Sequence, residues 1–417
     1  MATIPTQRLF DRARLVCVAD GLAIAVAVAL PWSTSATGIL AVLWVLALIP
    51  TLNWGDVRRD LMTPAGGLPV LLFVFGVLGM AWAGEPFVER LKGLDSFCKL
   101  LAIPLLLVQF RRSGCGVWVF GGYVASCTAL LVISTLAQFV TGFSFIPMHW
   151  DHALVNNSAT QSGELVTCIF GLLLLAIEGF ERRRWLWVAG LLLVMLGMLA
   201  NIFFVATGRT ALVMIPVLLV VFAVKRLSAK GIVILFAGAI LVGAVGWLSS
   251  PYLRDRTTQI WTDFQKYETT VERNSSGERI EFWKKSVAFV RQAPIFGHGT
   301  GSMPALFANT AAGKTGAAGS PTSNPHNQTF AVAIQLGLLG AVVLWAMWAA
   351  HVRLFRGGGL AEWIGLVVVV QNIVGSLFNS HLFDFNQGWV YVFGVGVAGG
   401  MVLKRRSGLA GREAEKQ

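Results

Sequence analysis

The sequence predicts an all-α polytopic membrane protein of about twelve transmembrane helices, with a helical domain in the long loop between helices 9 and 10. Three observations lead there. The 417 residues are 55% hydrophobic and 13% charged, with a mean hydropathy of +0.68, which is not a soluble composition. Apolar residues gather in runs of roughly 17 to 25, the length that crosses about 30 Å of hydrocarbon as helix. Cations alternate in step with those runs, as orientation in a bilayer requires.

The apolar runs cover residues 15–33, 35–52, 68–83, 96–110, 116–139, 163–180, 186–206, 210–224, 231–248, 329–350, 360–377 and 385–403. With a cytoplasmic N-terminus, alternate loops carry Arg8, Arg12 and Arg14; Arg58 and Arg59; Arg111 and Arg112; and Arg182, Arg183 and Arg184. The pattern continues with Lys225, Arg226 and Lys230; Arg353 and Arg356; and a basic tail from Lys404 to Lys416. Short loops on the other side hold little more than Arg90, Lys92 and Arg209. Both termini are therefore expected in the cytoplasm. Most of the net charge of +12 is then an orientation signal, and no nucleic-acid partner is expected. The 15 Trp and 27 Phe against 21 acidic residues also exclude a disordered chain. Cys17, Cys98, Cys115, Cys127 and Cys168 lie in or beside apolar runs at no metal-ligand spacing, so neither a disulfide framework nor a zinc site is expected. The basic start is followed by no small-residue cleavage site, and the first run is expected to be a retained helix.

Three regions follow: residues 1–248 with nine helices, 249–328 as an extracytoplasmic loop domain, and 329–417 with three helices and a cytoplasmic basic tail. Two amphipathic helices are legible in the loop domain, over an outer surface or a cavity. Ile260, Phe264, Tyr267 and Val271 mark one apolar face, and Ile280, Trp283, Val287 and Val290 another. Ser275 with Glu278 reads as a capping box for the second helix, and Pro294 as its end. Residues 297–325 are rich in Gly, Ala, Ser and Thr and read as a mobile loop. A further outer loop, 140–162, holds His149, Asp151 and His152.

Charge beside hydrocarbon is costly and usually functional, so polar groups at the outer helix ends are the candidates for chemistry. Arg209, in Ala206-Thr207-Gly208-Arg209, stands between two apolar runs on the side otherwise poor in arginine. Its planar fork suits phosphate oxygens; a headgroup-snorkelling role is the bland alternative. Arg279 falls in the first turn of the capped helix, where free N–H groups already favour an anion, unless it merely pairs with Glu278 or Glu281. Arg254, Arg256, Arg273 and Arg291 are weaker candidates of the same kind. His326, in Asn324-Pro325-His326-Asn327, sits at a helix entrance, where an imidazole can take a proton from a hydroxyl or simply cap the helix.

Other patterns carry less. Ala308 to Thr315 imitates a phosphate-binding loop but follows no strand and lies on the outer side. No Asp-x-Asp is present, and no Gly-x-Ser-x-Gly elbow. His149, Asp151 and His152 suit loop hydrogen bonding better than a metal.

His326-Asn327, nine residues, and Gly337-Leu338-Leu339-Gly340 together resemble the His-[Asn/Ser/Gln]-x9-Gly-x-x-Gly pattern of bacterial O-antigen ligases of the WaaL type. Thr207-Gly208-Arg209 resembles the outer-face arginine motif of the wider ligase and polymerase superfamily. Gly277-Glu278-Arg279, Trp283 and the stretch Pro294-Ile295-Phe296-Gly297-His298-Gly299 are similar to its Arg…Trp…Pro-x-x-Gly-x-Gly segment. The likeness covers about residues 200–340 at motif level, and the helix count with its long loop extends it to the whole chain.

The resemblance implies a GT-C-like, inverting, metal-independent glycosyltransferase of the bacterial inner membrane, without cofactor and with its active site facing the periplasm. The implied donor is undecaprenyl-diphosphate-linked O-antigen, and the implied acceptor is the lipid A-core oligosaccharide. On that reading Arg209 and Arg279 bind the diphosphate and His326 is the general base. Arg254, Arg256, Arg273, Arg291, Asn327 and His298 assist in substrate binding. O-antigen polymerases and protein O-oligosaccharyltransferases share donor and architecture and stay open as alternatives. A polyprenyl-lipid transporter or flippase is the rival from another class, disfavoured because no half-to-half repeat is visible.

The charge pattern makes a direct prediction. Green fluorescent protein fused after Gln417 should fluoresce, and alkaline phosphatase inserted at Gly313 should be active; the reverse pair would invert the assigned orientation.

Overall fold

The computed structural model describes residues 12–138, 155, 157–269 and 274–414 of the chain. Among these residues the protein is all-helical, with no strand. The helices are α1 (Arg12–Ala29), α2 (Thr34–Leu48), α3 (Trp54–Leu61), α4 (Pro64–Gly79), α5 (Phe87–Cys98), α6 (Ala102–Arg112), α7 (Gly116–Leu136), α8 (Ser158–Glu181) and α9 (Trp185–Phe204). They continue with α10 (Arg209–Arg226), α11 (Ala229–Ser249), α12 (Pro251–Thr269), α13 (Ser275–Gln292), α14 (Met303–Ala311), α15 (Gln328–Leu354), α16 (Leu360–Gly375) and α17 (Phe385–Ala414).

Every apolar run overlaps a helix, but length and apolarity alone qualify fewer of them to span. Six described helices pass: α2 with its following turn, α7, α8, α9, α11 and α15. The pair α3 and α4, bent by 85° at its break, makes up to seven. The others are short, as α6 and α16 are, or carry charge within them, as α1 does with Arg12, Arg14 and Asp20 and α10 with Arg209, Lys225 and Arg226. That Asp20 is nonetheless satisfied inside the bundle. It accepts from Gln109 Nε2 at 2.8 Å and Ser113 Oγ at 2.6 Å, and Gln109 in turn accepts from Trp44 Nε1 at 2.7 Å.

The core is one contiguous apolar cluster in which α6 packs on α17, α1 on α2 and α7, α4 on α15, and α16 on α8 and α17. Trp44, Trp348, Trp363 and Tyr391 are its largest fully buried side chains. By contrast α11 leaves Val233, Ile234, Ile240 and Leu248 exposed, as an apolar helix facing lipid would.

A second, smaller cluster of Phe282, Phe289, Phe307 and Ile334 joins α13 and α14 to α15. The sequence reading of α13 needs two corrections here. Its cap is Asn274, whose side chain accepts from Gly277 N at 2.7 Å, whereas Ser275 is already helical and Glu278 accepts instead from Ser320 Oγ at 2.5 Å. Its packed face is Phe282, Ser286 and Phe289, joined from the expected stripe by Val290 alone, while Val287 is exposed and Ile280 and Trp283 face a cavity toward α10 and α12. The helix is apolar on two sides, so periodicity alone could not choose between them. Of the stripe expected on α12, Val271 and the side chains of Ile260, Phe264 and Tyr267 lie outside the described part of the structure.

The segment 297–325 is built rather than loose. It contains α14 and a 3-10 turn at Gly316–Gly319, and Lys285 Nζ donates to Ala318 O at 2.6 Å. Its start is pinned into a break in α15. Gly337 there has φ +66°, and the freed backbone groups pair with the Pro294 stretch. His298 N donates to Ile334 O at 2.8 Å, Gly299 N to Gln335 O at 2.9 Å and Leu338 N to Pro294 O at 2.8 Å. A Cβ on Gly337 would overlap the Ile295 carbonyl, so both φ and space require glycine. The break therefore fastens the loop domain to the bundle.

Gly337→Ala should lower stability by about 1–3 kcal/mol, read as a fall in melting temperature of the detergent-solubilised protein. Gly243→Ala on α11, where an added Cβ meets nothing within 4 Å, should leave it unchanged or slightly raised.

Candidate functional site

Three chain segments far apart in sequence meet at one end of the bundle. The first is Thr207-Gly208-Arg209. Thr207 Oγ1 donates to Ile202 O at 2.7 Å, terminating α9, and Gly208 crosses so close to the start of α8 that a Cβ would overlap Ser162 Oγ and Ala159 Cα. That approach sets Arg209 as the first residue of α10. Its guanidinium donates through Nη1 to Ser275 Oγ at 3.1 Å and Asp263 Oδ2 at 3.3 Å, and through Nη2 to Gln259 Oε1 at 3.1 Å.

The second is the first turn of α13. Arg279 is half-buried and among the described residues has neither a hydrogen-bond nor an ion-pair partner. Burial, and next the charge of Arg209, lower its pKa from the ordinary arginine value. Two guanidiniums within electrostatic reach, one of them unpaired, make this a place where an anion would be stabilised.

The third is Asn324-Pro325-His326-Asn327. Pro325 holds Asn324 out of the helical region, and the Asn324 side chain accepts from His326 N at 2.8 Å. His326 takes φ +52°, a left-handed conformation costly for a non-glycine residue. Asn327 then caps α15, accepting from Phe330 N at 3.1 Å and donating to Leu377 O at 3.2 Å. The His326 ring stacks on Phe282 at 6.0 Å with a 22° interplanar angle.

What orients the imidazole is Asn379, in the turn between α16 and α17. Asn379 Nδ2 donates to Asp384 Oδ2 at 2.6 Å, which directs its Oδ1 toward His326 Nδ1 at 2.8 Å. Nδ1 must then carry the hydrogen, leaving Nε2 as the nitrogen with a free lone pair. Burial is the largest influence on the ring, followed by the charge of Arg279. Both hold its pKa below the ordinary histidine value of 6.5 against a smaller opposing pull from the Asn379 hydrogen bond and Glu278. At neutral pH it is therefore a neutral base. Burial raises Asp384 to about 6, with Lys99 and Asn379 pulling the other way.

Arg209, Arg279 and His326 line a single cavity of about 670 Å³, with Arg256, Asn157, Ser275, Asn379, His381, Asp384, Asn386 and Gln387 among its other walls. A second cavity of about 580 Å³ shares Arg209 and Arg279 but is otherwise walled mainly by Val213, Trp261, Ile280, Trp283 and Phe378. The arginine pair thus stands between a polar hollow and an apolar one.

The other expected site residues are dispersed. Arg256 reaches the polar cavity, held by Tyr252, whose hydroxyl lies 3.3 Å from its Nε and whose ring lies under its guanidinium. Arg254 instead donates to the carbonyls of Trp247 and Leu248 at the end of α11. His298 Nε2 lies 2.9 Å from Phe289 O inside the junction of α13 and α15, and Arg291 is exposed on α13. Neither lines the cavity. Asn327 acts as a cap, its side-chain hydrogen bonds going to Phe330 and Leu377. Arg273, His149, Asp151 and His152 lie outside the described residues.

Sequence reasoning missed Asn379, His381 and Asp384. The available signal was a polar group, Asn379-Ser380-His381 with Asp384, between two apolar runs. Residues 198–345 match the family model described as O-Antigen ligase, a segment that includes Arg209, Arg279 and His326. No curated protein matches the chain. The family match supports the O-antigen ligase/polymerase superfamily, and with it, at a coarse level, a membrane protein that transfers glycosyl groups.

Proposed function

We propose that the protein is an inverting, metal-independent O-antigen ligase, which transfers glycan from a polyprenyl diphosphate, undecaprenyl diphosphate in bacteria, to a hydroxyl of the lipid A-core oligosaccharide. About twelve helices span the inner membrane in a GT-C-like arrangement, nine before the loop domain and three after it, with both termini cytoplasmic and the cavity on the periplasmic side. The observation that carries the proposal is the convergence of Arg209, Arg279 and His326 on one cavity. The family match over residues 198–345 supports it independently.

The chemistry follows from those groups. The donor's diphosphate rests on the guanidinium pair, its glycan in the polar hollow and the first part of its prenyl chain against the apolar walls. His326 Nε2 takes the proton from the acceptor hydroxyl as that oxygen attacks C1 from the face opposite the diphosphate. The C1–O bond breaks, the electron pair leaves on the diphosphate, and the anomeric centre is inverted. Charge on the leaving group grows along the way, so fixed guanidiniums stabilise the transition state more than the substrate. The choice of ligase over polymerase rests on the resemblance of the His326 motif; reconstitution with a labelled donor, offered lipid A-core, a second donor or a pilin peptide in turn, decides among them.

His326→Ala should abolish transfer, by roughly 10²–10⁴-fold or more, in protein that still elutes as a folded species. Arg209→Lys, which keeps charge but loses the fork, should lose most activity. Transfer should survive EDTA; loss on chelation with recovery in Mg²⁺ would overturn the arginine-based account. The pH profile should show an acid limb below the ordinary histidine range, because activity is lost as pH falls through a lowered His326 pKa. Asn379→Ala removes the hydrogen bond that favours the imidazolium, so the limb should move to still lower pH while the plateau rate falls with the loss of a fixed tautomer.

A further inference from the structure

Arg209 is already occupied by an anion belonging to the chain itself. Asp263 Oδ2, on α12, lies 3.3 Å from Arg209 Nη1, and the same oxygen accepts from Ser276 Oγ at 3.1 Å and, more weakly, from Ser275 Oγ at 3.5 Å. Gln259, one turn earlier on α12, takes the other arm of the guanidinium. Both Arg209 and Asp263 are partly exposed, at 22% and 18% of their side chains, so solvent and solutes reach the pair. Arg279, one helical turn beyond Ser275 and Ser276, meanwhile has no anion among the described residues. One carboxylate therefore sits on one of two guanidiniums. A diphosphate spanning both would have to take its place.

The helix that carries Asp263 is solvent-facing over much of its described length. Of the described side chains of α12, only Leu253 is buried, and Trp261 is exposed beside the apolar cavity. Moving Asp263 off Arg209 breaks one partly exposed ion pair at 3.3 Å and the hydrogen bond from Ser276, interactions of modest strength where solvent reaches them.

We infer that Asp263 is a displaceable internal counter-anion: it holds Arg209 in the empty protein, yields that position to the donor's diphosphate, and competes for it again when the polyprenyl diphosphate product leaves. This rests on the reading of Arg209 and Arg279 as the diphosphate site. It makes Asp263 a positioning residue that sets donor affinity and product release. It forms no bond to substrate. Neutralising it has two opposed effects: donor binds more tightly, and product leaves more slowly.

The test uses the full-length protein in lipid nanodiscs, with inorganic pyrophosphate as the binding probe. Asp263→Asn, nearly isosteric and still able to accept from Ser276, should lower the pyrophosphate Kd and the donor KM by about three- to tenfold. The acceptor KM should stay unchanged and kcat should not rise. Asp263→Ser serves as a second variant should the first be poorly folded, and is expected to behave alike. Unchanged or weaker pyrophosphate binding in a folded variant overturns the inference, because Asp263 would then only brace Arg209. Arg209→Ala and Arg279→Ala separate the two failures. If they abolish pyrophosphate binding and Asp263→Asn does not tighten it, only this inference falls; if they leave binding intact, the diphosphate reading falls with it.

Discussion

The site depends on holding two guanidinium groups close together at the edge of an apolar bundle. Like charges repel, and burial of Arg279 aggravates the repulsion, so the arrangement must be enforced by the backbone on both sides. Gly208 does this for Arg209 by letting the start of α10 press against α8. For Arg279 the enforcement is more remote. Phe282 and Phe289 seat α13 against Phe307 and Ile334, and the Pro294 stretch locks into the α15 break at Gly337. Loosening either would let the charges separate and the cavity lose its attraction for an anion.

The same fastening places the histidine. α15 begins at Gln328, two residues after His326, and its N-terminal half lies between the loop domain and the α16–α17 turn. Gln328 N donates to Ser376 O at 2.9 Å, and Gln328 Oε1 accepts from Leu382 N and Phe383 N. The turn that carries Asn379 and Asp384 is thereby tied to the residue next to the cap of α15, and the imidazole is oriented from across the bundle. Such ties explain how a left-handed His326 is tolerated: the surrounding hydrogen bonds over-determine its backbone. They also give the ring one tautomer, which a base needs if its lone pair is to face an incoming hydroxyl.

Much of this was legible one residue at a time. The apolar runs located the helices, because hydrophobic periodicity and length are local properties. Arg209, Arg279 and His326 stood out as polar groups at outer helix ends, where desolvation makes an idle charge expensive. Arg254 and His298 looked equally eligible, yet one serves as a carbonyl ligand at the end of α11 and the other as a strut beneath α13. A residue type and a loop location do not say which way a side chain is turned.

By itself, then, the sequence determined that this chain is a bundle of apolar helices with one polar insertion, and which cationic and imidazole groups border it. The tertiary structure decided which of those groups share a hollow, which stripe of α13 is packed, and that Asn379 and Asp384 stand behind His326. The physical reason is range. Helix formation and hydrophobic pattern are written within a few turns of chain. Pairing His326 with Asn379, 53 residues on, or Arg209 with Asp263, 54 residues on, depends on how distant helices pack before any hydrogen bond can form.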